Sequence, residues 1–234
     1  MGRILRQPLK LIPASARVPI IQGKLRGTRW IVGSSNHGCW LGSYEQEKQE
    51  LFAASLREKD VVYDIGANVG FYTLLASGCV GDAGRVYAFE PLPRNISFLK
   101  AHLNLNSIQN VQVFELALSD LNGEGTFDEA SNCSMGRLSN SGSLKVPTAT
   151  IDTLIAERRI AGPSVIKIDV EGAEAKVLKG ARSMLEQHRP RIFLATHGPE
   201  VHEECCEFLQ SLSYQLRAIG GGEVAKSDEL LASC

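Results

Sequence analysis

Short apolar runs punctuate this chain, and most close on a polar or small residue. They are Val61 to Ile65, Arg85 to Glu90, Asn110 to Ala117, Ser164 to Asp169, Arg191 to Ala195 and Gln215 to Ile219. Rich in β-branched and aromatic residues, they read as strands. Ser164 to Asp169 is apolar almost throughout, as a strand covered on both faces requires. Between the runs, apolar residues take helical spacing: Phe71, Thr73, Leu74, Leu75 and Ala76 after the first, and Ile96, Leu99 and Leu103 after the second. Pro91 and Pro93 suit the opening of that second helix, because a first turn has no use for the missing N–H. Thr150 can cap a short helix holding Ile151, Leu154 and Ile155. Gly180 and Pro190 bound further helical stretches, Glu200 to Leu212 reads as a helix, and Gly220 to Gly222 turns into a short terminal segment. The alternation predicts an α/β fold with a doubly wound, mostly parallel sheet.

The chain before residue 61 follows another pattern. Residues 1–42 hold Pro8, Pro13, Pro19 and several glycines, with a strand expected at Arg29 to Val32, which predicts a small N-terminal cap ahead of a main domain at 43–234. Ser43 and Gln46 have the spacing of a capping box, opening a helix through Arg57 that buries Leu51, Phe52 and Leu56. Trp40, Tyr44 and Glu45 fall at the junction, as packing or as a lid, and Glu45 is a candidate substrate contact. Residues 130–143 are dense in Ser, Asn and Gly, which predicts a mobile surface loop between strand segments at Gly125 to Phe127 and Leu144 to Thr148. Asn132, Ser134 and Met135 lie near its middle. Asn132 and Ser134 are candidate acceptor contacts, and a tolerated insertion is the alternative reading.

Charge adds little globally. At 234 residues and a formal charge of −1 the chain fits one α/β domain with an appendage and carries no nucleic-acid signature. No acid precedes Glu45, whereas Arg3, Arg6, Lys10, Arg17, Lys24, Arg26 and Arg29 crowd the first thirty residues. A solvated basic face is the plain reading; a surface for an anionic substrate, peripheral membrane contact and a transit peptide are the alternatives. The six cysteines show no metal spacing, and no apolar run reaches the length of a membrane span, so a soluble cytoplasmic protein with free thiols is expected.

The chemistry concentrates at strand ends. Val61 to Ile65 runs into Gly66-Ala67-Asn68-Val69-Gly70 and then a helix, a turn that lets a ligand approach the backbone and meet free N–H groups. Asn68 and Phe71 stand where a dinucleotide turn needs glycine, and a carboxylate at Asp64 is electrostatically wrong for a pyrophosphate. It suits a cation. S-adenosylmethionine, with a sulfonium, an α-ammonium and no phosphate, therefore fits better than NAD. Glu90 stands twenty residues beyond Gly70, where nucleotide-binding folds place the acid for the ribose hydroxyls, and the end of the third strand should pass the adenine. Cofactor contacts are expected at Asp64, Gly66, Ala67, Asn68, Gly70, Glu90, Pro91 and Ala117. At the central crevice, Lys167, Asp169, Glu171 and Glu174 follow within eight residues, and the fifth strand delivers Thr196 and His197 to the same edge.

These stretches resemble the FkbM-family S-adenosylmethionine-dependent methyltransferases. The resemblance is carried by VVYDIGANVGFYT (61–73), VYAFEPLPRN (86–95), ALSD (117–120), ATIDTL (149–154), IKIDVEGAEAKVLKGA (166–181) and ATHG (195–198), with GSYE at 42–45 upstream. It implies a seven-stranded methyltransferase fold whose last strand runs antiparallel. It also implies transfer of a methyl group to a hydroxyl of a sugar, glycolipid or polyketide. The C-terminus looks short for the family's final strand pair. A base must take the hydroxyl's proton, and Asp169 and His197 are the candidates, with Glu171 orienting or binding substrate. Transfer without a metal is expected. Helical spacing brings Glu171 near Glu174 but leaves convergence with Asp169 open, and a histidine is soft for a magnesium site but titrates near neutrality. An NAD-dependent oxidoreductase and a non-catalytic cofactor-binding module are the alternatives.

Overall fold

The computed structural model describes residues 12–129, 136–138 and 144–234. Asn132, Ser134 and Met135, with the basic residues Arg3, Arg6 and Lys10, lie outside them.

The N-terminal part begins with an antiparallel pair, β1 (Arg17–Pro19) and β2 (Arg29–Ile31), followed by α1 (His37–Leu41) and α2 (Gln46–Ser55). The Ser43–Gln46 capping box does not form. Asn36 caps α1 instead, accepting from Gly38 N at 2.8 Å, while Ser43 N donates back to Gly38 O. Glu45 adopts a left-handed conformation (φ 45°) to turn the chain into α2, which has no side-chain cap. The reversal between two consecutive helices outweighs the local capping preference.

The main sheet starts with β3 (Val61–Ile65), α3 (Phe71–Val80), β4 (Arg85–Phe89), α4 (Pro93–Leu105) and β5 (Val111–Phe114). The single strand expected from Asn110 to Ala117 is two. Past Phe114 the chain leaves the sheet, and β6 (Ala117–Leu118) joins β7 (Gly123–Glu129), β8 (Gly136–Leu138) and β9 (Leu144–Ala149) in a second sheet of order β6-β9-β7-β8. The chain then returns through α5 (Ile151–Ala156), which Thr150 caps as expected by accepting from Thr153 N at 3.0 Å. The remaining elements are β10 (Val165–Ile168), α6 (Glu174–Lys179), α7 (Arg182–His188), β11 (Arg191–Ala195), α8 (Pro199–Ser211), β12 (Gln215–Ala218) and β13 (Glu229–Ser233).

The seven strands order as β12-β13-β11-β10-β3-β4-β5, and β13 runs antiparallel to both its neighbours. The final strand pair that looked too short is therefore present. Leu230, Leu231 and Ala232 of β13 are buried and fill a position between two longer-range partners. The pleat sends alternate residues to opposite cores. Tyr63, Ile65, Phe89, Ile166, Ile168 and Leu194 meet residues of α6, α7 and α8. Val62, Val86, Ala88, Val165 and Phe193 meet α3 together with Trp30 and Trp40 of the N-terminal part. One buried histidine ties that part to the glycine turn. His102 Nδ1 donates to Val69 O at 2.8 Å, Nε2 accepts from Ile31 N at 3.1 Å, and the ring stacks on Trp30 at 4.0 Å. These two bonds need the neutral ring, and burial pushes its pKa below the ordinary value.

Candidate active site

Order reverses between β3 and β10, and at their carboxyl ends a cleft of about 230 Å³ opens, the place where open α/β sheets hold ligands. Gly66, Ala67, Asn68, Glu90, Pro91 and Ala117 all line it. Gly66 (φ 75°) crosses so close to β10 that a Cβ there would overlap the carbonyl oxygen of Asp169. That contact brings the turn against the next strand's carboxylate. Glu90 is 4% exposed, and its oxygens accept from Asn68 N at 2.8 Å, Leu92 N at 3.0 Å and Asn95 Nδ2 at 3.2 Å. Burial raises its carboxyl above the usual range against the pull of these donors.

Two of the expected cofactor residues stand elsewhere. Asp64 is wholly buried beneath the turn, accepting from Thr73 Oγ1 at 2.5 Å and facing Lys167 Nζ at 3.6 Å, and it does not line the cleft. Gly70 (φ 96°) gives room to Leu99 of α4, so its glycine serves packing. Glu45 is likewise held back from the cleft. It accepts from Tyr72 OH at 2.8 Å and pairs with Lys48 at 3.4 Å, and Lys48 in turn meets Glu229 at 2.6 Å. The neighbouring Tyr44 lines the cleft in its place.

Asp169 and Glu171 line the cleft on the β10 side, and His197 from the end of β11 joins them. His197 Nε2 lies 3.7 Å from Asp169 Oδ1 and 3.4 Å from Glu171 Oε2, while Nδ1 donates to Glu174 Oε1 at 2.7 Å. The convergence that sequence spacing left open therefore occurs, with Glu171 in a left-handed conformation (φ 56°) that turns it back toward the histidine. Glu174 is fully buried and faces the other ring nitrogen, accepting also from Gly172 N at 3.0 Å. One ligand atom each from Asp169, Glu171 and His197 falls within 4.8 Å of the others, an arrangement that can hold a cation.

The same geometry corrects the expectation of a free histidine titrating near neutrality. The hydrogen bond to Glu174, opposed by partial burial and reinforced by the charges of Glu174, Glu171 and Asp169, raises the His197 pKa to about 9. Burial would push Asp169 up, but Lys167, Lys48 and His197 outweigh it and hold the carboxyl below the usual range. Glu171 moves the other way: burial and the charges of Asp169 and Glu174 raise it despite His197.

Lys167 is the residue that sequence reading passed over as a site residue. It is 4% exposed, with Nζ donating to Gly66 O at 2.9 Å and lying 3.6 Å from both Asp64 Oδ1 and Asp169 Oδ2. Burial alone would lower its pKa; Asp169, Asp64, Glu45 and Glu90 overcome that and keep the ammonium charged. Its signal was visible, since a lysine inside Val165-Ile166-Lys167-Ile168 is a charge where a covered strand should have none.

Residues 64–216 match the model of the methyltransferase FkbM domain. The chain belongs to that family. Among curated relatives, the FkbM-domain chain is 30% identical over 144 residues to the hexuronic acid methyltransferase AglP of Haloferax volcanii, a match covering 61% of this chain and 58% of that one. It is 28% identical over 212 residues to the 31-O-demethyl-FK506 methyltransferase FkbM of Streptomyces tacrolimicus, covering 76% and 78%. The crystal structure of methyltransferase FkbM from Methylobacillus flagellatus shares the fold, with a TM-score of 0.54 at 18% identity over 86% of this chain and 56% of the other. The chain thus spans little more than half of two of these relatives.

Proposed function

We propose that this protein is an S-adenosylmethionine-dependent O-methyltransferase acting on a hydroxyl of a small molecule such as a sugar, glycolipid or polyketide. The observation that carries the reading is the juxtaposition, across one strand gap, of a glycine-turn cleft holding Glu90 with the Asp169–Glu171–His197 cluster. The cleft fits the cofactor's chemistry. Gly66 lets the turn lie against the Asp169 backbone at the cleft's edge, Glu90 offers a buried carboxylate for ribose hydroxyls, and Leu116, Ala117 and Leu118 give an apolar wall for an adenine. The relatives' names give a hexuronic acid and 31-O-demethyl-FK506 as their acceptors, which supports a small-molecule acceptor here.

When bound, the cofactor supplies an electrophilic methyl group on a sulfonium. This chain's residues hold the acceptor hydroxyl in line and remove its proton. Asp169, ionised, orients the hydroxyl as a hydrogen-bond acceptor, and Glu171 fixes the substrate beside it. His197 takes the proton at Nε2, with Glu174 holding Nδ1 and stabilising the imidazolium that forms. At neutrality His197 rests as the imidazolium, so its Nε2 proton leaves for solvent before the ring accepts the hydroxyl's, and the proposed transfer uses no metal. Asn132 and Ser134 are proposed acceptor contacts. Transfer of labelled methyl from S-adenosylmethionine to a panel of sugars, hexuronic acids included, glycolipids and polyketides tests the reading; labelling of none, with no S-adenosylhomocysteine binding, would overturn it.

A further inference from the structure

The cleft carries three carboxylates and one ammonium. Glu90, Asp169 and Glu171 line it, and among the described lining residues Lys167 brings the single positive charge. Burying a lysine on a central strand is costly, and apolar packing would serve the sheet better if stability were its only purpose. Of the ammonium's three protons, one goes to Gly66 O at 2.9 Å, while Asp64 and Asp169 stand at 3.6 Å, beyond hydrogen-bond length. The head group therefore retains donor capacity at the mouth of the glycine turn.

The proposed cofactor ends in an amino acid, and its α-carboxylate is the one anionic group it has. Among the cleft's described lining residues Lys167 is the one cation that can meet it, because the nearby His197 ring is taken up by Glu174, Glu171 and Asp169. Resting on the function proposed above, we infer that Lys167 is the residue that recognises the α-carboxylate of the cofactor's methionyl end. The surrounding acids then select the ammonium and sulfonium of the same ligand, so the cleft reads a zwitterion through its charge pattern.

Calorimetry on the full chain tests this without knowledge of the acceptor. The probes are S-adenosylhomocysteine and its decarboxylated analogue, which keeps the amine and the nucleoside. The unaltered protein should prefer S-adenosylhomocysteine by about ten- to a hundredfold, the worth of a charge-assisted hydrogen bond. Lys167→Met should lose that preference, binding the analogue as the unaltered protein does, and Lys167→Arg should keep part of it. Equal affinity of the unaltered protein for both probes would overturn the assignment even if no variant folds. Equal weakening of both probes by Lys167→Met would also overturn it, reducing the lysine to a structural part. Failure of the unaltered protein to bind either probe would instead sink the cofactor reading itself.

Discussion

His197 donates its Nδ1 proton to Oε1 of Glu174 over 2.7 Å, and Glu174 has no exposed surface. The pair fixes which ring nitrogen faces Asp169 and Glu171, and it sets how the site responds to pH. With the pKa raised from 6.5 to about 9, the ring is an imidazolium at neutrality and must lose that proton before it can act as a base. Turnover should therefore climb about tenfold per pH unit and level off near 9. Asp169, already ionised, would give a flat profile over that range if it were the acceptor. Glu174→Gln should move the limb toward lower pH, and His197→Ala should cost a factor of roughly 10² to 10⁴ in turnover. The same shift affects folding. A raised pKa stabilises the folded form fully below 6.5, and the contribution disappears as pH rises through about 9.

Chelation separates the proton-transfer account from a metal one. Asp169, Glu171 and His197 can converge on a cation, but the imidazolium holds that position unless a metal displaces its proton. Activity should survive EDTA. Loss on chelation with recovery on adding Mg²⁺ or Mn²⁺ would make the three residues ligands.

Glu90→Gln removes a buried charge that Asn68 N, Leu92 N and Asn95 surround. S-adenosylhomocysteine should bind more weakly by about 1.5 to 3 kcal/mol, the range for hydrogen bonds to a charged group. An unchanged affinity by calorimetry would place the ribose elsewhere.

Gly66→Ala puts a methyl group into the Asp169 carbonyl at a positive φ. Overpacking alone should cost about 1 to 3 kcal/mol, read as a lower urea midpoint, with cofactor affinity falling alongside. A variant of unaltered stability would mean that the turn and β10 do not touch as described.

Much of this was legible in the chain because local pattern and tertiary role agree. Val61 to Ile65 alternates faces in a strand, Gly66 follows at the turn, and the structure gives both those positions. Glu90 reached the cleft for the same reason, following β4 at the carboxyl edge of the main sheet, whereas Ala117 reached it by opening β6 of the second sheet. Illegible features depended on distant partners. Lys48 is buried on α2 because Glu229, 181 residues away, meets it. Asp64 looked like a ligand contact until Thr73 and Lys167 occupied it. The strand at Glu229–Ser233 reads in the sequence only as a terminal segment, and its burial comes from β11 and β12 on either side.

The central claim is the identity of the ligand, and isothermal calorimetry on the purified protein tests it most directly. The account predicts saturable binding of S-adenosylhomocysteine at one site per chain and none of NAD. Binding of NAD with indifference to S-adenosylhomocysteine would contradict it.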